Sequence, residues 1–184
     1  MFVPSDMAIF AAAGFLLKIA DYTGETKRNR ILSIGPALVV AVFFWLLINS
    51  SEEYSTILLA IVIGSLVSRK VDRLNLLAGL GLLIALMIAY GFRFPLLLPL
   101  GILAIAAAMD EWGNDKRWKL NLASSFFRYR GVMKAVAVVL GSVNQISFGT
   151  VAGFYLFDVA YDFTSIAIER KAGLTGKLSP PVSV

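Results

Sequence analysis

The chain has 184 residues, 58% of them hydrophobic and 16% charged, with a formal net charge of +5. A soluble domain averages about 25% charged residues, so the composition points to a membrane protein. No cysteine and no histidine is present, which excludes disulfides, thiolate metal sites, histidine-ligated haem or zinc, and a histidine general base.

In chain order, the apolar runs cover 7–20, 31–49, 54–67, 74–91, 95–109, 132–143 and 146–168. The segment ahead of them, Met1-Phe2-Val3-Pro4-Ser5-Asp6, lacks the positive charge of a signal peptide, so the first run is expected to be retained as a span. A full crossing takes about 20 residues, with a range near 17–25. Runs two and four meet that length, and run seven meets it if its aspartates are tolerated. Runs one, three, five and six must recruit residues at their ends. Run six is the shortest, and a re-entrant hairpin is the alternative to a crossing there.

Seven spans place every one of the 17 basic residues except Arg93 on one side. Such a bias marks the cytoplasmic side. The expected fold is an all-α integral membrane bundle of about seven transmembrane helices in the cell membrane, N-terminus outside and C-terminus cytoplasmic. Residues 1–171 form the bundle and 172–184 a flexible tail. Small residues at Gly149/Gly153, Ala104/Ala108 and Gly81/Ala85 are expected to let helices pack closely. Pro36 falls near a helix start, whereas Pro99 is expected nearly one turn inside the fifth helix, where it would kink it.

The seventh run carries Tyr155, Asp158, Asp162, Ser165 and Glu169 at spacings of 3, 4, 3 and 4, one continuous helical stripe. The first run repeats the pattern with Gly14, Lys18, Asp21 and Glu25, and Lys18 and Asp21 are placed to pair. The fifth offers Glu111 and Asp115 if its helix continues past Gly113-Asn114. Charge near hydrocarbon is costly and normally faces a bundle interior or a watery cavity. Asp158 and Asp162, the deepest, are the leading candidates for function. Glu25, Asp72, Asp110 and Glu169 are expected to neutralise the basic ring through salt bridges. The segment 110–131 interleaves aromatic and basic residues, as expected at headgroup level.

These features define three expectations. The first is an enzyme acting on a phosphate-bearing lipid. Asp158, Asp162, Glu111, Asp115 and Asp21 would hold Mg²⁺, and Arg128, Arg130 and Lys134 would hold phosphate oxygens. The second is a small cation- or proton-coupled transporter or channel using Asp158 and Asp162. The third is a non-catalytic scaffold that binds anionic lipid headgroups. Nucleic acid is not an expected partner. The Asp158-x3-Asp162 pair is similar to the paired aspartates of membrane prenyltransferases of the UbiA type and of CDP-alcohol phosphotransferases. The longer signatures of both families are missing from the sequence, so the pair assigns no family.

Overall fold

A computed structural model describes residues 4–25, 34–116 and 121–176, with backbone alone at 4, 25, 115, 121–124 and 171–176. The described residues are predominantly helical, without strands. They form α1 (Pro4–Glu25), α2 (Ile34–Ser50), α3 (Glu52–Val67), α4 (Leu74–Tyr90), α5 (Leu97–Asp115), α6 (Asn121–Arg128), α7 (Gly131–Ser142) and α8 (Phe148–Gly176). Each of the seven apolar runs lies largely in one helix, and α6 is the short amphipathic piece between runs five and six. Two stretches, Ser5–Gly24 and Phe148–Arg170, are long and apolar enough to cross a membrane; α2, α4 and α7 are apolar but shorter. At 12 residues α7 is about 18 Å long, less than a hydrocarbon core of about 30 Å.

Glycine sets the closest helix contacts. Gly14 of α1 lies against the backbone of Phe157 on α8, where a Cβ would stand 2.0 Å from the carbonyl oxygen. In return, the Phe10 ring of α1 covers Gly153 of α8. Gly153 thus packs within the chain, as expected. Gly64 of α3 meets Ala107 of α5, and Gly79 of α4 meets the Ala37 carbonyl of α2. The expected Gly81/Ala85 contact does not form: both are exposed, and nothing lies within 4 Å of a Cβ built on Gly81. Gly79 and Gly81 are two residues apart, about 200° of helical rotation, so one faces α2 and the other faces outward, a choice that spacing alone does not reveal. Pro99 likewise departs from expectation. Since α5 starts at Leu97, Pro99 sits in the first turn, where its missing N–H costs little.

Phe10, Phe44, Leu47, Leu58, Leu103, Phe154 and Phe157 form the centre of the core. The outward faces are also apolar. On α5, Leu98, Ile102, Ile105, Met109 and Trp112 are exposed at helical spacing, as are Leu156, Val159, Phe163 and Ile166 on α8.

At one end of the bundle, the ends of α2, α3 and α5 are tied by polar contacts. Arg93 Nε donates to the Asn49 carbonyl at 2.7 Å, Ser55 Oγ to the Arg93 carbonyl at 2.7 Å, and the Leu96 N–H to Thr56 Oγ1 at 2.9 Å. The α7–α8 turn joins this end through Glu53, whose Oε2 accepts from the Ser147 N–H at 2.9 Å and from the hydroxyls of Ser147 and Thr150. Helix α8 runs on to Gly176, over the first residues of the expected tail, and 177–184 lie outside the described residues.

Candidate functional site

The other end of the bundle holds two charge clusters and a cavity. The first cluster centres on Asp158 of α8, which is 1% exposed. It lies about 15 Å along α8 from Phe148. Its Oδ2 contacts Lys134 Nζ of α7, and its Oδ1 is 3.4 Å from Arg130. Lys134 also reaches Asp162 at 3.8 Å, and Arg130 reaches Glu111 at 3.9 Å. Four members of the stripe predicted on the seventh run, Tyr155, Asp158, Asp162 and Glu169, thus reach the α6–α7 segment, and Ser165 bonds Glu169 on its own helix. Tyr155 donates to the Lys134 carbonyl at 3.4 Å, and Glu169 accepts from Arg128 at 2.8 Å.

Arg130 reaches this position because the chain turns sharply between α6 and α7: it has a φ of 51°, a left-handed conformation that costs a non-glycine residue roughly 1–2 kcal/mol. Burial opposes its charge, but Asp158 and then Tyr161 and Glu111 more than restore it and raise its pKa above the ordinary value. Its own side chain does not cap α7. Asp110, from α5, performs that task. The Asp110 carboxylate accepts from the backbone N–H groups of Val132 and Met133 at 2.9 and 2.8 Å, the donors that a helix start leaves unpaired. Asp110 was expected to neutralise the basic ring by salt bridges; instead it is a buried helix cap. Glu169 does form the expected salt bridge, with Arg128 at the surface.

The second cluster centres on Asp21 of α1. Its carboxylate is 2.8 Å from Arg73 and 3.3 Å from Lys18, the pairing expected along α1, and it accepts from Tyr161 Oη at 3.2 Å. Asn75 locks the same turn by donating to the buried Ala20 carbonyl at 2.7 Å. Tyr161 connects the clusters, with Lys18 and Arg130 lying 5.1 and 5.2 Å from its ring centroid. Its position three residues after Asp158 gave no sign of this, because its partners are distant in sequence.

Between α1, α2, α3 and α4 lies a cavity of about 610 Å³. Five basic side chains line it, Lys18, Arg69, Lys70, Arg73 and Arg130, against three acidic ones, Asp21, Asp72 and Glu111. Ser65, Ser68, Asn114 and Tyr161 add polar groups, and the remaining wall is largely aliphatic with Phe44. The Ser68 hydroxyl oxygen is buried and without a hydrogen-bond partner among the described residues.

Of the expected metal ligands, Asp158, Asp162 and Glu111 come together around Lys134 and Arg130, and Asp21 lies in the second cluster. The Asp115 side chain lies outside the described residues, as does that of Glu25. Among the described residues, no three carboxylates converge as a metal site; ammonium and guanidinium groups occupy the space around Asp158 where a cation would bind. Of the expected phosphate ligands, Arg130 lines the cavity, whereas Lys134 engages Asp158 and Arg128 engages Glu169. Arg69, Lys70 and Arg73 were not singled out as phosphate ligands, although their clustering at a turn was visible. Compared with known proteins, the chain matches no family model, no curated protein and no solved structure.

Proposed function

We propose that this is a multi-pass membrane protein that binds the phosphate headgroup of an anionic lipid on the cytoplasmic side. The cavity carries this reading: one continuous space joins a net-basic rim to an aliphatic wall, the two chemistries of an amphiphile. Arg guanidinium groups bind phosphate oxygens through charge-assisted hydrogen bonds, and an apolar wall accepts hydrocarbon without desolvating polar groups. Arg73 and Arg130 are held by carboxylates on other helices, so a phosphate meets side chains already in place and less side-chain entropy is lost on binding.

Outward-facing apolar stripes on α5 and α8 support a lipid surround, since soluble proteins rarely expose large contiguous apolar patches. In this reading the spanning part of α3 starts after Glu53. Arg93 and Glu53 lie at the outer end, and the charge clusters at the inner end, in keeping with the charge bias. Helices α2 to α4 are short for a full core, and a short span is accommodated by local bilayer thinning. Helix α7 packs beside the first half of α8 and reaches only to the level of Asp158. Since α7 starts among the charge clusters and ends at the turn tied to Glu53, it joins the inner end to the outer one, which favours a short crossing over the re-entrant form of run six.

The test is lipid retention by the purified protein, read by native mass spectrometry from detergent containing equimolar phosphatidate and phosphatidylcholine. Preferential retention of phosphatidate, weakened in R69G, is expected. Equal retention of the two lipids contradicts the proposal.

A further inference from the structure

The cavity's deep wall narrows the class of lipid. Phe44 and Leu83 line it although they are only 5% and 3% exposed. The apolar end therefore lies within the bundle, behind α2 and α4, and not on the outward surface that contacts bulk lipid. Val40, Ile61 and Leu80 complete this slot. Groups of this kind offer water few hydrogen bonds, and buried waters need about three each. Hydrocarbon suits the slot and water does not.

Volume limits how much hydrocarbon enters. At about 610 Å³ the cavity falls within the range of about 300–1,000 Å³ typical of small-molecule sites. A headgroup and one chain use that space, and a second long chain of the same molecule has to stay outside. The polar rim shows where the headgroup sits. Arg69, Lys70 and Arg73 come from the α3–α4 turn, Lys18 from α1 and Arg130 from the start of α7, so cations approach from three directions. The Ser68 hydroxyl supplies a neutral donor beside them.

Resting on the headgroup reading above, we infer that the ligand is a single-chain phosphate amphiphile, such as a lysophosphatidate or a long-chain alkyl or prenyl phosphate. Its monoester phosphate sits among Arg69, Arg73 and Arg130. Its chain runs along the joined α2 and α4 wall, opposite Ile61 of α3, towards Phe44 and Leu83.

Thermal unfolding of the full chain in neutral detergent tests this with four probes: lysophosphatidate, phosphatidate, lysophosphatidylcholine and inorganic phosphate. Two variants accompany the wild type. L80W fills the slot. R69G removes a rim charge at a position whose φ of 55° suits glycine, so folding is preserved.

A saturable rise in melting temperature with lysophosphatidate is expected, at concentrations about ten-fold lower than for phosphatidate. Methylene-sized changes in an apolar pocket are worth about that much or more, so L80W should weaken lysophosphatidate by about ten-fold as well. R69G should weaken every phosphate probe. Equal binding of lysophosphatidate and phosphatidate, unaffected by L80W, overturns the single-chain inference and leaves the headgroup reading standing. A response to inorganic phosphate as strong as to lysophosphatidate also overturns it, in favour of a soluble phosphate compound. No response to any phosphate probe, with the R69G protein folded, overturns both.

Discussion

Tyr161 of α8 donates a hydrogen bond to the carboxylate of Asp21 on α1 at 3.2 Å. The ring that carries this hydroxyl lies against Lys18 on α1 and Arg130 at the start of α7. One phenol thus joins two charge clusters that otherwise share no direct ion pair among those described. Cation–π contacts of this kind are worth about 0.5–2 kcal/mol each, depending on desolvation, and the hydrogen bond to a charged group roughly 1.5–3 kcal/mol. Y161F keeps the ring and loses the hydroxyl, and it is expected to lower unfolding stability by about 1–2 kcal/mol. Y161A loses both and is expected to cost more. Chemical unfolding in detergent measures the difference; identical losses in the two variants would show that the ring contacts contribute nothing.

The buried Asp158–Lys134 contact gives a second expectation. Removing one member of a buried pair leaves an uncompensated charge and costs about 3–5 kcal/mol. D158N alone is therefore expected to destabilise strongly, and D158N/K134M to recover much of the loss. The same series addresses the expected cation site. Saturable stabilisation of the wild type by Mg²⁺, abolished in D158N/D162N, would replace the ion-pair description with a metal one.

Glycine positions provide a matched comparison. G14A places a methyl against the Phe157 carbonyl, so α1 and α8 must separate; overpacking of this kind costs about 1–3 kcal/mol. G81A meets open space and is expected to be neutral or stabilising by up to about 1 kcal/mol through helix propensity. Unfolding midpoints of the two variants check the helix phases directly. A destabilised G81A with an unaffected G14A would contradict the packing of α4 and α1.

Much of this organisation was legible in the sequence, for identifiable reasons. Apolar run length placed the helices, and the 3-4 spacing of Tyr155, Asp158, Asp162, Ser165 and Glu169 correctly put them on one face, because both signals are local. Lys18 and Asp21 are one turn apart and pair as their spacing implies. Asp110 and Tyr161 were not legible in their roles. Their partners stand 22–23 and 140 positions away, and local spacing carries no information about such contacts. The cavity escaped notice for the same reason: its walls come from several helices, and side chains such as Val40, Phe44 and Leu83 read as ordinary core until the helices are placed.

At the end of the bundle that carries Arg93, Glu53 links α3 to the α7–α8 turn and titrates below its ordinary value of 4.5. Burial favours the neutral form, but hydrogen bonds from the Ser147 and Thr150 hydroxyls and the Ser147 N–H outweigh it. A carboxylate whose pKa is lower in the folded state contributes stability that is present above the unfolded value and is lost as pH falls through the folded one. Melting temperature is therefore expected to fall as pH drops below about 4.5. E53Q should flatten that part of the profile and cost about 1 kcal/mol near neutrality. An unchanged acid limb in E53Q would assign the pH dependence to other groups.

Photo-crosslinking with a lysophosphatidate whose chain carries a diazirine, followed by peptide mapping, tests most directly whether a lipid chain enters the cavity. Chain insertion into the cavity is expected to label the deep wall, at Phe44, Leu80 and Leu83, with labelling suppressed by excess unmodified lysophosphatidate but not by lysophosphatidylcholine. Labelling confined to the outward stripes, at residues such as Leu98, Ile105 and Phe163, and competed equally by both lipids, would show only the surrounding lipid and would contradict a binding cavity.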